Sequence, residues 1–245
     1  MSFFIGLLGG FFGGLVGLGG GVVMIPLMIS IGKLTQHQAH GTSLVAVVFT
    51  GLAGAIAYLF HHAVDWQASA ILALSATATA RFGAHYAHSL PEKKLKKAFG
   101  AFLIAVSVLI IVKAYLPGKS QELAFGARTA VLLLTGAGTG FLSGMMGVGG
   151  GTVMIPAMVL FAGMGQHLAQ GSSLLAMVPV GVSGALTHYR LGNVRTDMVL
   201  GLSAGAVVGS YLGGTAANVL PELYLKYIFA IILTWLGLRY SGIAK

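Results

Sequence analysis

The sequence GFFGGLVGLGGGVVMIPLM of residues 10–28 recurs as GFLSGMMGVGGGTVMIPAM in residues 140–158. Twelve of the nineteen aligned positions are identical, at a register of 130 residues. Without a gap, the same register aligns Gln36-His37 with Gln166-His167 and Gly41-Thr42-Ser43-Leu44 with Gly171-Ser172-Ser173-Leu174. Self-similarity at a fixed register indicates a duplicated unit. We therefore predict two homologous repeats, residues 1–118 and residues 119–245.

Hydropathy places both repeats in a membrane. Of the 245 residues, 56% are hydrophobic and only 8% are charged, whereas soluble domains carry about 25% charged residues. The mean hydropathy of +0.90 excludes a water-soluble globular protein. Apolar runs long enough for membrane helices lie at residues 3–31, 39–60, 66–90, 98–116, 127–161, 168–189, 197–219 and 223–239. The sequence predicts an all-α, polytopic membrane protein with four apolar segments in each repeat.

The polar residues exclude several classes of function. The chain has no cysteine, which excludes disulfides, iron–sulfur clusters, thiolate metal sites and thiol catalysis. No arrangement of Ser, His and acidic residues indicates a hydrolase, so we expect neither enzyme activity nor a cofactor. The net charge of the chain is +9. Membrane proteins concentrate Lys and Arg in cytoplasmic loops, where these residues contact anionic lipid, so we do not attribute the charge to nucleic-acid binding. The cluster Lys93, Lys94, Lys96 and Lys97 is the clearest candidate for lipid contact.

The basic residues also indicate how the repeats are oriented. If every apolar segment crosses once, the repeats are parallel and the 14 Lys and Arg residues divide seven to seven between the two sides. If the first segment of each repeat is broken and re-entrant, the repeats are inverted and the division becomes ten to four. Lys and Arg are enriched on the cytoplasmic side. We therefore predict inverted repeats in the inner (cytoplasmic) membrane of a bacterium or archaeon, with both termini cytoplasmic.

Each repeat carries a run of glycines inside its first apolar segment. The runs comprise Gly19, Gly20 and Gly21 in one repeat and Gly149, Gly150 and Gly151 in the other. Consecutive glycines leave a helix readily, and a helix that restarts after them presents unpaired N–H groups and its positive dipole end, which suit an anion. Paired breaks at equivalent positions indicate the substrate site of a transporter. The alternative is close helix packing, the role we assign to the small-residue spacing of Gly10, Gly14, Gly136, Gly140 and Gly144.

Polar side chains open the next apolar segment of each repeat. Thr42, Ser43, Ser172 and Ser173 could donate hydrogen bonds to the same anion, or cap the helix or bond back to its carbonyl groups. The equivalent pairs Gln36-His37 and Gln166-His167 are candidates for the mouth of a pathway or for proton coupling. Without nearby carboxylates or thiols, the eight histidines do not indicate a metal site.

The acidic residues are few and peripheral. Asp65, Glu92, Glu122, Asp197 and Glu222 all lie at joints or near the ends of apolar segments. A cation pathway through a membrane normally needs carboxylates within it. Their position favours an anionic or neutral substrate.

The motifs GLGGGxxxxP and GVGGGxxxxP, each followed by Gln-His and then Gly-Thr/Ser-Ser-Leu, resemble the TauE/SafE family of sulfite exporters and related permeases. The resemblance covers essentially the whole chain. It implies a small inner-membrane transporter of sulfur-containing anions such as sulfite, sulfoacetate or a related organosulfonate. Carried over by position, it also implies a substrate site built from the two glycine runs and the four hydroxyls. The lack of cysteine departs from the distinct thiosulfate permeases that use thiols.

The sequence therefore predicts a secondary transporter of small sulfur-containing anions, working by alternating access around a site between the repeats. The expected partners are the anion, membrane lipid and, in a homo-oligomer, further copies of the chain. Two alternatives stay open, an anion channel and a non-transporting membrane partner protein.

Overall fold

The computed structural model describes residues 1–86 and 125–241, together with residues 100, 101, 104, 105, 107, 108, 111 and 112. Within these residues the chain is helical and has no strand, which confirms the predicted all-α class. The helices are α1 (Ser2–Val16), α2 (Gly21–Ser30), α3 (Gln36–Leu59), α4 (Trp66–Tyr86), α5 (Phe125–Met146), α6 (Gly151–Leu160), α7 (Gln166–Arg190), α8 (Thr196–Val219) and α9 (Glu222–Ser241).

Four of these helices, α3, α5, α7 and α8, are long and apolar enough to cross a membrane. A helix of 24 residues such as α3 is about 36 Å long and exceeds the roughly 30 Å hydrocarbon core. The helices α1, α2 and α6 are apolar but shorter. The predicted polytopic membrane architecture is thus confirmed.

Some predictions fall outside the described residues. These are the cluster Lys93, Lys94, Lys96 and Lys97, the residues Glu92 and Glu122, the boundary between residues 118 and 119, and most of the predicted segment 98–116.

Glycines end α1 and turn the chain back on itself. Gly17 caps α1 with a positive φ of 76°, and its N–H donates to Gly13 O, a helix ending that glycine adopts without steric cost. A methyl group built on Gly20 would lie 2.5 Å from Gly9 O, although these residues would be about 16 Å apart in a straight helix. The helices α1 and α2 therefore form a helical hairpin, which we call hairpin 1.

The second repeat makes the same turn. A methyl group on Gly150 would lie 2.7 Å from Thr139 Cγ2, and this pair is equivalent to Gly20 and Gly9 at the register of 130. The helices α5 and α6 form hairpin 2. Both long apolar runs, 3–31 and 127–161, thus fold as helical hairpins.

Each hairpin packs on a helix of the other repeat. A methyl group on Gly6, Gly10 or Gly14 of α1 would overlap the backbone of α8 at Leu202, Ala206 and Ser210 respectively. Gly136, Gly140 and Gly144 of α5 meet Leu72, Ala76 and Ala80 of α4 in the same way. The missing side chains let the backbones approach closely, so the predicted packing role of these glycines is confirmed.

The long helices α3 and α7 occupy equivalent positions and pack with opposite chain directions. A methyl group on Gly54 would lie 2.9 Å from Leu174 Cδ1, and one on Gly184 would lie 3.0 Å from Leu44 Cδ1. Residues later in α3 therefore contact residues earlier in α7, so the two helices are antiparallel. Equivalent helices of inverted repeats have opposite directions, whereas those of parallel repeats share one.

Candidate functional site

The turns of the two hairpins meet inside the protein. We call residues 17–21 tip 1 and residues 147–151 tip 2, and all ten residues are buried. A methyl group on Gly21 would lie 2.5 Å from Gly147 O, and one on Gly151 would lie 2.2 Å from Gly17 O. The two predicted glycine runs, Gly19 to Gly21 and Gly149 to Gly151, are thus brought into backbone contact with the opposite tip.

Two helices begin at this contact. The helix α2 starts at Gly21 after the N-cap Gly20, and α6 starts at Gly151 after the N-cap Gly150. Neither helix has a side-chain hydrogen bond at its cap. The positive end of each helix dipole faces carbonyl groups at the negative end of a helix from the other repeat. Buried, uncapped helix N-termini have the properties of an anion site.

Two of the predicted hydroxyls join the opposite tip. Ser43 Oγ donates to Gly147 O at 2.9 Å, and Ser173 Oγ donates to Gly17 O at 2.9 Å. Each hydroxyl also lies 2.8 Å from a carbonyl oxygen three residues earlier in its own helix, that of His40 or Gln170. Because a hydroxyl has one hydrogen to share, these contacts hold both serines in place in this conformation.

The other two hydroxyls join the loops of the opposite repeat. Thr42 Oγ1 accepts a hydrogen bond from the backbone N–H of Arg195 at 3.0 Å, and Ser172 Oγ accepts one from Asp65 N–H at 2.8 Å. The Asp65 carboxylate is itself paired with the Arg128 guanidinium. Thr42 and Ser172 are thus hydrogen-bond acceptors between repeats.

Two further pairs of side chains lie against the tips and the last turns of α1 and α5. Tyr58 Oη donates 3.2 Å to Gly14 O and lies 3.0 Å from Gln170 Oε1. The equivalent of Tyr58 in the second repeat is His188, whose Nε2 lies 3.1 Å from Gly144 O. The equivalent of Gln170 is His40, and a methyl group on Gly147 would lie 2.9 Å from its Cβ.

No motif search could find these four residues, because the residue types differ between the repeats. Among the sequence features, only the register of 130 residues relates these positions, because it pairs position 58 with position 188 and position 40 with position 170. Burial then distinguishes them, since His188 is 1% exposed and His40 is 9% exposed.

The predicted pathway residues lie at the starts of α3 and α7. His167 Nε2 is 3.1 Å from both Ala217 O and Leu220 O, where α8 ends. Gln166 is fully buried, and its backbone N–H donates to the Glu222 carboxylate. Its side-chain amide has no hydrogen-bond partner. Gln36 and His37 are half-buried. In the described part of the chain, no group of three or more His, Asp or Glu residues could hold a metal ion.

Comparison with known proteins yields one family. The family model described as "Sulfite exporter TauE/SafE" matches residues 2–240. A protein of Bacillus subtilis named probable membrane transporter protein YunE is 28% identical, over 99% of this chain and 99% of its own length. A probable membrane transporter protein of Xylella fastidiosa strain 9a5c is 33% identical, over 85% of this chain and 81% of its own.

An archaeal relative gives a similar result. A probable membrane transporter protein of Methanocaldococcus jannaschii is 26% identical, over 96% of this chain and 92% of its own length. No solved structure matches the chain significantly.

Proposed function

The chain belongs to the sulfite exporter TauE/SafE family of membrane transporters, and from that premise we propose that it is a secondary transporter of small sulfur-containing anions. The substrate class comprises sulfite, sulfoacetate and related organosulfonates, in keeping with the name of the family. The protein acts as a transporter and not as an enzyme. It works in the cytoplasmic membrane with both termini on the cytoplasmic side.

The proposed binding site lies between the two tips. One observation carries this proposal: two helices, α2 and α6, begin without a capping side chain at the buried contact between hairpins. Their N-termini can supply N–H groups and positive dipole ends to an anion from both repeats. The site comprises Gly19, Gly20, Gly21, Thr42, Ser43, Gly149, Gly150, Gly151, Ser172 and Ser173.

In the structure described, a carbonyl oxygen of the opposite tip lies beside each of these N-termini. Gly147 O lies beside Gly21, and Gly17 O lies beside Gly151. When the tips separate, Ser43 and Ser173 lose the carbonyl groups to which they now donate. The anion then takes the place of those carbonyl oxygens, as an acceptor for the same hydroxyls and for the uncapped amides at the starts of α2 and α6.

Alternating access follows if the repeats are inverted, as the directions of α3 and α7 support. Hairpin 1 and hairpin 2 then enter from opposite sides of the membrane and meet at the tips. Withdrawing one hairpin opens the tips to one side, and withdrawing the other opens them to the opposite side. The tight backbone contact between the tips favours this mechanism over a continuously open channel.

The experiment is counterflow in proteoliposomes. Vesicles loaded with unlabelled sulfite receive labelled sulfite outside, and sulfate, sulfoacetate, taurine and chloride are added in turn as competitors. A sulfur-anion carrier gives transient accumulation of label that sulfite or sulfoacetate suppresses and chloride does not. Flux without counterflow would instead establish the anion channel, and no flux from folded protein would favour the non-transporting partner protein.

A further inference from the structure

The last turns of α1 and α5, which lead into the two tips, are bonded by chemically different groups at equivalent positions. Gly14 O in α1 is bonded by Tyr58, which is joined to Gln170. Gly144 O in α5 is bonded by His188, and His40 occupies the position of Gln170. Tyrosine and glutamine carry no charge at neutral pH, whereas histidine gains and loses its charge in this range.

From this difference we propose that His188, with His40 beside tip 2, binds the proton that couples anion transport to a pH gradient. The inference rests on the proposed transport function and adds the coupling ion to it. It assigns proton coupling to a buried pair of histidines beside tip 2, and not to the partly exposed His37 and His167, which the sequence offered as candidates for a pathway mouth or for proton coupling.

The hydrogen bond of His188 fixes which nitrogen takes the proton. A carbonyl oxygen can only accept, so the contact of Nε2 with Gly144 O places a hydrogen on Nε2. The basic nitrogen of the neutral ring is then Nδ1. A proton that arrives from the aqueous side binds Nδ1 and produces an imidazolium ion without breaking the bond to Gly144.

The C-terminal end of α5 offsets part of the cost of burying that positive charge. Gly144 lies in the last turn of α5, which ends at Met146, and cations are favoured at the C-terminal end of a helix. His40 lies against Gly147, the buried residue that follows the end of α5. At the equivalent end of α1, Tyr58 donates to Gly14 but offers no basic nitrogen.

Other titratable groups on the neighbouring elements lie nearer the surface. On α3, His37 is half-buried. On α7 and α8, Arg190, Arg195 and Asp197 are exposed, and the last two pair with each other at 2.9 Å. On α4, which packs against α5, Arg81 and His85 are exposed, and His85 Nδ1 bonds to Arg81 O. The charge on the buried pair therefore changes the field at tip 2 with little screening from solvent.

The proton and the anion assist each other because tip 2 borders the proposed anion site. Gly147 O lies beside Gly21 at the start of α2, and His188 bonds to Gly144 O three residues earlier in the same chain segment. A positive charge on His188 therefore lies close to the helix N-terminus proposed to bind the anion. Protonation favours anion binding, and by linkage the anion favours protonation by the same factor. Proton and anion thus cross together, toward the alkaline side.

The test compares the wild-type protein with the double variant His188→Tyr and His40→Gln, which gives tip 2 the side chains of tip 1. Proteoliposomes receive labelled sulfoacetate or sulfite, with the inside alkaline or with the gradient collapsed by an ionophore. We expect the wild type to accumulate about tenfold more label per pH unit at one-to-one coupling, and the double variant to lose this gradient-driven accumulation. Sulfoacetate is the preferred probe because its charge is constant above about pH 6.

Sulfite itself titrates, so with sulfite the variants are compared at identical pH. His61→Gln, in an exposed loop, is the matched control and should accumulate label as the wild type does. Accumulation in the double variant equal to that of the wild type would overturn the inference.

A measurement on the wild-type protein alone tests proton coupling even if the double variant does not fold. If wild-type vesicles show counterflow but a pH gradient drives no accumulation of sulfoacetate, proton coupling is wrong and the transport function stands. If wild-type vesicles show no counterflow at all, the proposed function itself has failed. Loss of coupling in a His37→Gln, His167→Gln variant, with coupling kept in the His188 and His40 variant, would also contradict the assignment.

Discussion

Hairpin 1 and hairpin 2 have the same backbone plan but different details at the point where each is held. Both break at a glycine run, start a second helix without a side-chain cap and accept a serine hydrogen bond from the other repeat. They differ at the N-cap, where φ is +78° for Gly20 but −82° for Gly150. They differ again at the bonded carbonyl, which meets Tyr58 in hairpin 1 and His188 in hairpin 2.

The comparison separates two kinds of requirement. Backbone contact between the tips demands glycine at Gly21 and at the equivalent Gly151, because a side chain at either position would overlap a carbonyl group of the opposite tip. The side chain that holds each tip from outside only needs to donate to a carbonyl oxygen, which tyrosine and histidine both do. The positions of Tyr58 and His188 can therefore hold different residue types, and this gives the two repeats different chemistry.

Substitutions that separate the two tips should have the largest effect on transport and stability, because both hairpins depend on this backbone contact. Gly21→Ala and Gly151→Ala would each put a methyl group within 2.5 Å of a carbonyl oxygen of the opposite tip, and backbone on both sides cannot give way as a side chain could. We expect each variant to lose sulfite counterflow and about 1–3 kcal/mol of stability. Counterflow and thermal unfolding in detergent measure the two effects.

The matched control for these variants is Gly138→Ala on the exposed face of α5. No atom lies within 4 Å of the added methyl group, so transport should be unchanged and the helix should gain about 0.5–1 kcal/mol. Normal transport by Gly151→Ala would contradict the close contact of the tips.

The N-cap difference predicts an unequal response to the same substitution. Gly20→Ala places a side chain at a φ of +78°, which costs about 1–2 kcal/mol for a residue other than glycine, and its methyl group would meet Gly9 O at 2.5 Å. Gly150→Ala keeps an ordinary φ, and the nearest atoms belong to the side chains of Thr139 and Met154. The melting temperature should therefore fall further for Gly20→Ala. Equal losses would show that the two turns respond alike.

The smallest effect should come from the serines, and here the repeats should behave alike. Ser43→Ala and Ser173→Ala each remove one buried hydrogen bond to the opposite tip, worth about 1 kcal/mol. Both should weaken counterflow by similar factors. Ser30→Ala is the control, because its exposed hydroxyl bonds only to carbonyls of its own helix. Loss of transport in one serine variant alone would place the anion contact in a single repeat.

Much of the fold could be predicted because its causes are local or periodic. Hydropathy identified the apolar segments, and the glycine runs located the breaks after Val16 and Met146. The small-residue spacing of Gly10 and Gly140 identified faces that pack closely. The reversal of each hairpin could be inferred only indirectly, from the distribution of basic residues.

The roles of the predicted site residues were harder to predict. Thr42 and Ser172 were candidates to donate to an anion, to cap the helix or to bond back to its carbonyl groups, and in the structure they accept from loop amides of the other repeat. Ser43 donates to a carbonyl 104 residues away, and Ser173 to one 156 residues away. Sequence shows that a hydroxyl is present, but its partner depends on where a distant backbone lies.

The sequence by itself determined that the protein is an all-helical membrane protein, and it predicts a duplicated chain with paired breaks. Hydrophobicity, glycine flexibility and self-similarity are all properties of residue types and their spacing. Only the tertiary structure decided that the two breaks touch and that Tyr58 and His188 hold equivalent carbonyl groups. The reason is physical: a contact between two turns is fixed by the packing of whole helices, and a buried polar group bonds to whatever that packing brings within reach.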